Sequence, residues 1–215
     1  MAQTQVFVNQ DAPRAASEGT WLDAKGTKRG ELAVIDFYTA MALEGRAFQV
    51  RAGSLSAPLV GSVAIVDQKA EMATEALTGT TIIPCTLNIA INLGTGTLHE
   101  YAAKSRAWTV AVTGTAFVAL PLKLGGVAAR SASYVDAAGV VDVGVGEDVT
   151  LDRMHFHFAQ PIAMGAWDGV IWWSPIAPPV IAGRSIFYVQ IGATTTGPSY
   201  FAHYDFIELP TINLS

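Results

Sequence analysis

The chain is 215 residues long, enough for one domain with a sizeable core and no covalent staple. Only 14% of its residues are charged, where an ordinary globular chain carries about 25%, while 51% are hydrophobic and the net charge is -5. So little charge covers the surface thinly and points to self-association, and the cations are too few for direct nucleic-acid binding; the single cysteine, Cys85, excludes an intrachain disulfide and fits a reducing cytoplasm.

Residues 1–30 hold four basic and three acidic groups around one short apolar run at 6–8, and read as an extended N-terminal arm with at most one added strand. Residues 31–215 then read as a single domain. The opening MAQTQVFVNQDAPR has neither a basic n-region nor an apolar h-region, so no secretory signal is expected. Residues 32–43, LAVIDFYTAMAL, fit a helical stripe and a strand; the strand is preferred because Ala33, Ile35, Phe37, Thr39, Met41 and Leu43 then share one face. Gly45 ends that run, and 47–52 alternates as a following strand.

An apolar run follows at 59–66. Residues 67–77, DQKAEMATEAL, are the best helix candidate, with Asp67 able to cap a first turn. The alternation of Ala70, Met72, Thr74 and Ala76 suits a strand as well, and both readings stay open. Thr80–Leu93 is β-rich around Pro84, which predicts an edge strand, a bulge or two strands meeting. Residues 108–122 read as a strand bent at Gly114, 125–139 as irregular, and 140–145 and 149–158 as two strands joined at 146–148. Asp168-Gly169 predicts a turn between 162–167 and 170–173, and the three prolines within 174–183 make it a loop.

Residues 186–191 and 200–209 flank a segment of Gly, Ala, Thr, Pro and Ser, which predicts a β-hairpin. In its second strand Tyr200, Ala202, Tyr204 and Phe206 share one face. Phe201, His203, Asp205 and Ile207 share the other, which is too apolar for a water face and is expected at a subunit contact together with Trp172 and Trp173. The longest uncharged run, 185–204, has Thr-Thr-Thr-Gly-Pro-Ser inside it, so no membrane insertion is expected. About nine or ten strands result, at spacings typical of a sandwich or barrel.

Three groups of residues carry chemical readings beside bland ones. His155 and His157 are two apart, so a regular strand puts both imidazoles on one face, where His203, Asp205 or His99 are candidates to complete a metal site. The bland alternative packs Phe156 and Phe158 in the core and turns the histidines to solvent or a neighbouring subunit. Asp142, Glu147, Asp148 and Asp152 surround one turn and offer oxygen ligands for calcium, but their spacing is not that of an EF-hand loop and a solvated hairpin tip explains them. Trp167, Trp172 and Trp173 offer flat faces for sugar rings, as in a carbohydrate- or receptor-binding module, although core or interface packing is the commoner use. Nucleophile elbows, phosphate loops, dinucleotide-binding glycines and Cys-x-x-Cys pairs are missing, and no enzyme activity is expected.

The His-x-His spacing is similar to that of cupins, but no acid follows His157 until Asp168, so a cupin-like metal-binding protein is a weaker reading. TTIIPCTLNIAINL at 80–93, EGRAF at 44–48 and VQIGATTTGPSYFAHYDFIEL at 189–209 resemble segments of jelly-roll structural proteins of bacteriophages and related viruses. The resemblance implies a jelly-roll-like β-sandwich of about eight to ten antiparallel strands, with an extended arm and at most one short helix. It further implies a capsid or capsid-associated subunit, made in the host cytoplasm, assembling in many copies with itself and other virion proteins, without catalytic residues or cofactor. The weakly charged arm departs from the basic arms of many RNA-virus coat proteins and favours a DNA-phage shell, a minor shell component or a decoration protein.

Overall fold

The computed structural model describes residues 36–63, 70–93, 98–107, 114–135, 153–160, 169–194 and 197–211, with backbone alone at 7–8 and 23–24. Its elements are β1 (Phe7–Val8), β2 (Asp23–Ala24), α1 (Phe37–Leu43), β3 (Ala47–Ala52), β4 (Leu59–Val60), β5 (Met72–Ala76), β6 (Thr80–Leu93) and β7 (His99–Ala107). They continue as β8 (Ala116–Phe117), β9 (Leu120–Pro121), β10 (Ala132–Val135), β11 (Arg153–Gln160), β12 (Gly169–Trp173), β13 (Ile181–Ala182), β14 (Ser185–Ala193) and β15 (Ser199–Pro210). The short strands β1 and β2 pair in parallel.

The two main sheets are antiparallel. One, the β15 sheet, has the order β12-β6-β15-β3-β9, with β13 on β6 and β4 on β15; the other, the β14 sheet, has the order β11-β7-β14-β5-β10-β8. Numbering β3, β5, β6, β7, β11, β12, β14 and β15 as first to eighth, the first sheet reads 1-8-3-6 and the second 2-7-4-5. That double Greek-key winding is the strand order of a jelly roll. The predicted hairpin is therefore a correction: β14 and β15 lie in different sheets, so the chain passes from one sheet to the other between them. Gly197 makes that passage possible, because a Cβ there would fall 1.8 Å from the Gly61 carbonyl oxygen.

The core lies between the sheets. Tyr200, Ala202, Tyr204 and Phe206 point into it as the alternation requires, and meet Met72, Phe187, Val189 and Ile191 from the β14 sheet. The Tyr204 hydroxyl hydrogen-bonds Thr74 Oγ1, which also meets Ser133 Oγ at 2.9 Å, so the buried phenol is satisfied and ties the sheets together. The segment around Pro84 is a bulge within one long strand: Asp205 faces Thr86 and Phe206 faces Pro84, leaving Cys85 extra. The bulge reverses the inward parity, so Ile82 joins the main core while Ile83 faces outward.

Three other expectations are overturned. Phe37–Leu43 is a helix, not a strand, because both ends are capped. At the start the Asp36 carboxylate accepts from the Thr39 backbone N–H at 3.0 Å and from its hydroxyl. At the end Gly45 takes φ +74°, its N–H donates to the Ala42 carbonyl and that of Arg46 donates to the Met41 carbonyl, a Schellman closure. Within 108–122 the described part holds two short strands in different sheets, β8 and β9, in place of one bent strand. The stretch read as irregular contains β10, short and rich in small residues, which pairs β5. The ambiguous 67–77 resolves to strand β5 in its described part.

Two buried carboxylates fasten loops at opposite ends of β15. Glu71 accepts from the Ser62 hydroxyl at 2.8 Å and the Ile191 N–H at 2.7 Å, beside the start of the strand. Near its finish, Glu208 accepts from the Arg130 N–H at 2.9 Å and the Ser131 N–H at 2.7 Å. The hydrogen bonds of each offset part of the hydration lost on burial.

Candidate functional site

The outer face of the β15 sheet divides along its length. Over one part lies α1: Ile207 is wholly buried with Met41, Ala47, Ile83 and Leu209 in a satellite cluster. This places the interface candidate Ile207 inside the chain. Asp205, the next candidate, accepts from Tyr38 Oη at 3.3 Å, Gln49 Nε2 at 3.0 Å and Thr86 Oγ1 at 2.9 Å. Burial and that carboxylate keep the Tyr38 phenol protonated well above its ordinary range. Cys85, on the same side, has its thiol pushed up to about 11, chiefly by burial, which leaves it unreactive at neutral pH.

Beyond the helix the same face is open. Trp172 and His203 flank Asn88, and Val170 and Phe201 flank Ala90, in two adjacent cross-strand rows. Trp172 is 60% and Val170 63% exposed. Phe201 and His203 are partly exposed. The strand alternation that turns Trp172 outward turns Trp173 inward, where it stacks on Phe187 with ring centroids 6.2 Å apart. A sugar platform built on both tryptophans is thereby corrected; Trp167 lies outside the described residues.

Trp173 lines instead a cavity of about 330 Å³ at the edge where β11 and β12 come together, with Ser105, Arg153, His155 and the loop residues Pro175 and Pro179. A bulge in β11 decides this. Met154 faces Lys104 and Phe156 faces Ala103, so His155 is the extra residue and turns inward, while His157 remains exposed on the opposite face. The expected shared face of the two histidines is overturned. His155 Nε2 sits 2.7 Å from Ser105 Oγ, and its ring lies 6.3 Å from that of Phe187. Burial first, and Arg153 second, hold its pKa below the ordinary value, so the imidazole is neutral at pH 7.

His155, His157 and His203 thus occupy three different surfaces. Among the described residues no three His, Cys, Asp or Glu side chains gather as a metal site would require. Asp142, Glu147, Asp148 and Asp152, the calcium candidates, lie outside the described residues. No helix among the described residues is long and apolar enough to cross a membrane.

Sequence reasoning reached His155 and Trp173 but not Ser105 or Arg153, which carry no local signal. Glu208 did carry one, as a lone acid inside the apolar run FIEL. No protein-family model matches this chain, and no curated protein or solved structure matches it.

Proposed function

We propose that this chain is a structural subunit of a virion, a jelly-roll shell or shell-associated protein that assembles through its sheet faces. The observation that carries the reading is the open part of the β15 sheet, where exposed Trp172 and Val170 adjoin Phe201 and His203 on a chain only 14% charged. A soluble surface of this kind is stabilised when another protein covers it. The scaffold is compatible, since jelly rolls serve shells and lectins alike, so the face and not the fold supplies the argument.

The test is sedimentation and negative-stain microscopy of purified protein over a rising concentration series. Discrete multi-copy particles or rings are expected, with Trp172→Ser shifting the distribution toward monomer. A wild-type chain that stays monomeric throughout, without any regular assembly on the grid, overturns the proposal.

A further inference from the structure

We infer that the cavity at the β11–β12 edge binds a small organic carboxylate, with Arg153 as its counter-charge. The inference is independent of assembly, since one chain supplies every wall.

Arg153 is the one charged group among the described residues that line the cavity. No ion pair to it occurs among the described residues. A cavity with one guanidinium and no facing acid among the described residues selects an anion. The guanidinium fork fits the two oxygens of a carboxylate better than it fits a single-point acceptor. Ser105 and His155 add a hydroxyl and a neutral imidazole, already joined at 2.7 Å, that can turn toward a polar group on the ligand.

The remaining walls argue for an organic body on that carboxylate. Trp173 offers aromatic surface, and Pro175 and Pro179 provide rigid apolar sides. Trp173 is held by stacking on Phe187, and prolines lose little freedom on binding, so the walls are preorganised. The volume of about 330 Å³ lies within the range of small-molecule sites, and is larger than an inorganic anion needs.

The probes are benzoate, its neutral analogue benzamide and inorganic phosphate, followed by ligand-observed saturation-transfer NMR on the full chain. Benzoate should bind and benzamide should bind at least about tenfold more weakly, the loss of one charge-assisted contact. Arg153→Gln changes an exposed side chain and should leave folding intact while weakening benzoate by a similar factor. His155→Phe should keep the fold and lower affinity less. No saturation transfer from benzoate, equal binding of benzoate and benzamide, or an unchanged affinity in Arg153→Gln each overturns the inference. Displacement of benzoate by phosphate at equal concentration overturns its organic part.

Discussion

Two parts of one strand face of β15, Phe201 with His203 and Asp205 with Ile207 and Leu209, each mix apolar and polar residues in sequence and meet different fates. The later part is covered by α1, which buries Ile207 completely. The earlier part, beside Trp172 and Val170, has no such cover among the described residues and stays partly exposed. What separates them lies far away in the chain: Asp36 and Gly45 set the ends of a helix of seven residues, long enough for one part only. Apolar residues on an outward face therefore do not tell by themselves whether the chain's own elements cover them.

The comparison is broken most directly by truncating both parts. Ile207→Ala should cost about 2–4 kcal/mol in urea denaturation, as for a fully enclosed aliphatic side chain. Phe201→Ala should cost under about 1 kcal/mol, in line with a partly exposed position. Equal costs would erase the distinction between a covered and an open part. The fastening beside the covered part gives the next effect. Glu208→Gln puts an amide where the N–H groups of Arg130 and Ser131 need an acceptor, and should cost about 2–3 kcal/mol by the same assay.

The fastening beside the open part responds to pH, which sharpens the contrast. Burial raises the Glu71 carboxyl to about 7, against the opposing pull of its hydrogen bonds to Ile191 and Ser62. The folded chain then holds a proton that the unfolded chain has already released between about pH 4.5 and 7. The contribution of Glu71 to stability is full below that window and is lost as pH rises through it, by on the order of 3 kcal/mol. Comparing denaturation midpoints of wild type and Glu71→Gln across the window checks this, because the difference between the two should slope only there.

The fold was legible where period-two alternation sufficed. Tyr200, Ala202, Tyr204 and Phe206 give their face away, as do Phe48, Val50 and Ala52. It was not legible at 32–43, where alternation and helical spacing coincide and capping by Asp36 and Gly45 decides. The 192–199 segment has turn chemistry, but turn chemistry does not say which sheet receives the next strand. For the cavity, the bulge at His155 is the obstacle: one extra residue reverses a side chain without any mark in the sequence. Trp172 and Trp173 were separable in principle, since neighbours on a strand must point apart.

The central place of β15 also dictates when the protein can become itself. Its neighbours β3 and β6 do not pair with each other, so the β15 sheet exists only as two separated pieces until this strand enters between them. Ala202 must find Ala52 and Ile89, partners made far earlier in synthesis. Such a closure is a slow, non-local step that meets its entropy cost before its contacts form. Until then the two edges that receive it, one on β3 and one on β6, stand open to any neighbouring chain. The yield of folded chain should therefore depend on temperature and on chain concentration during refolding more than its final stability would suggest.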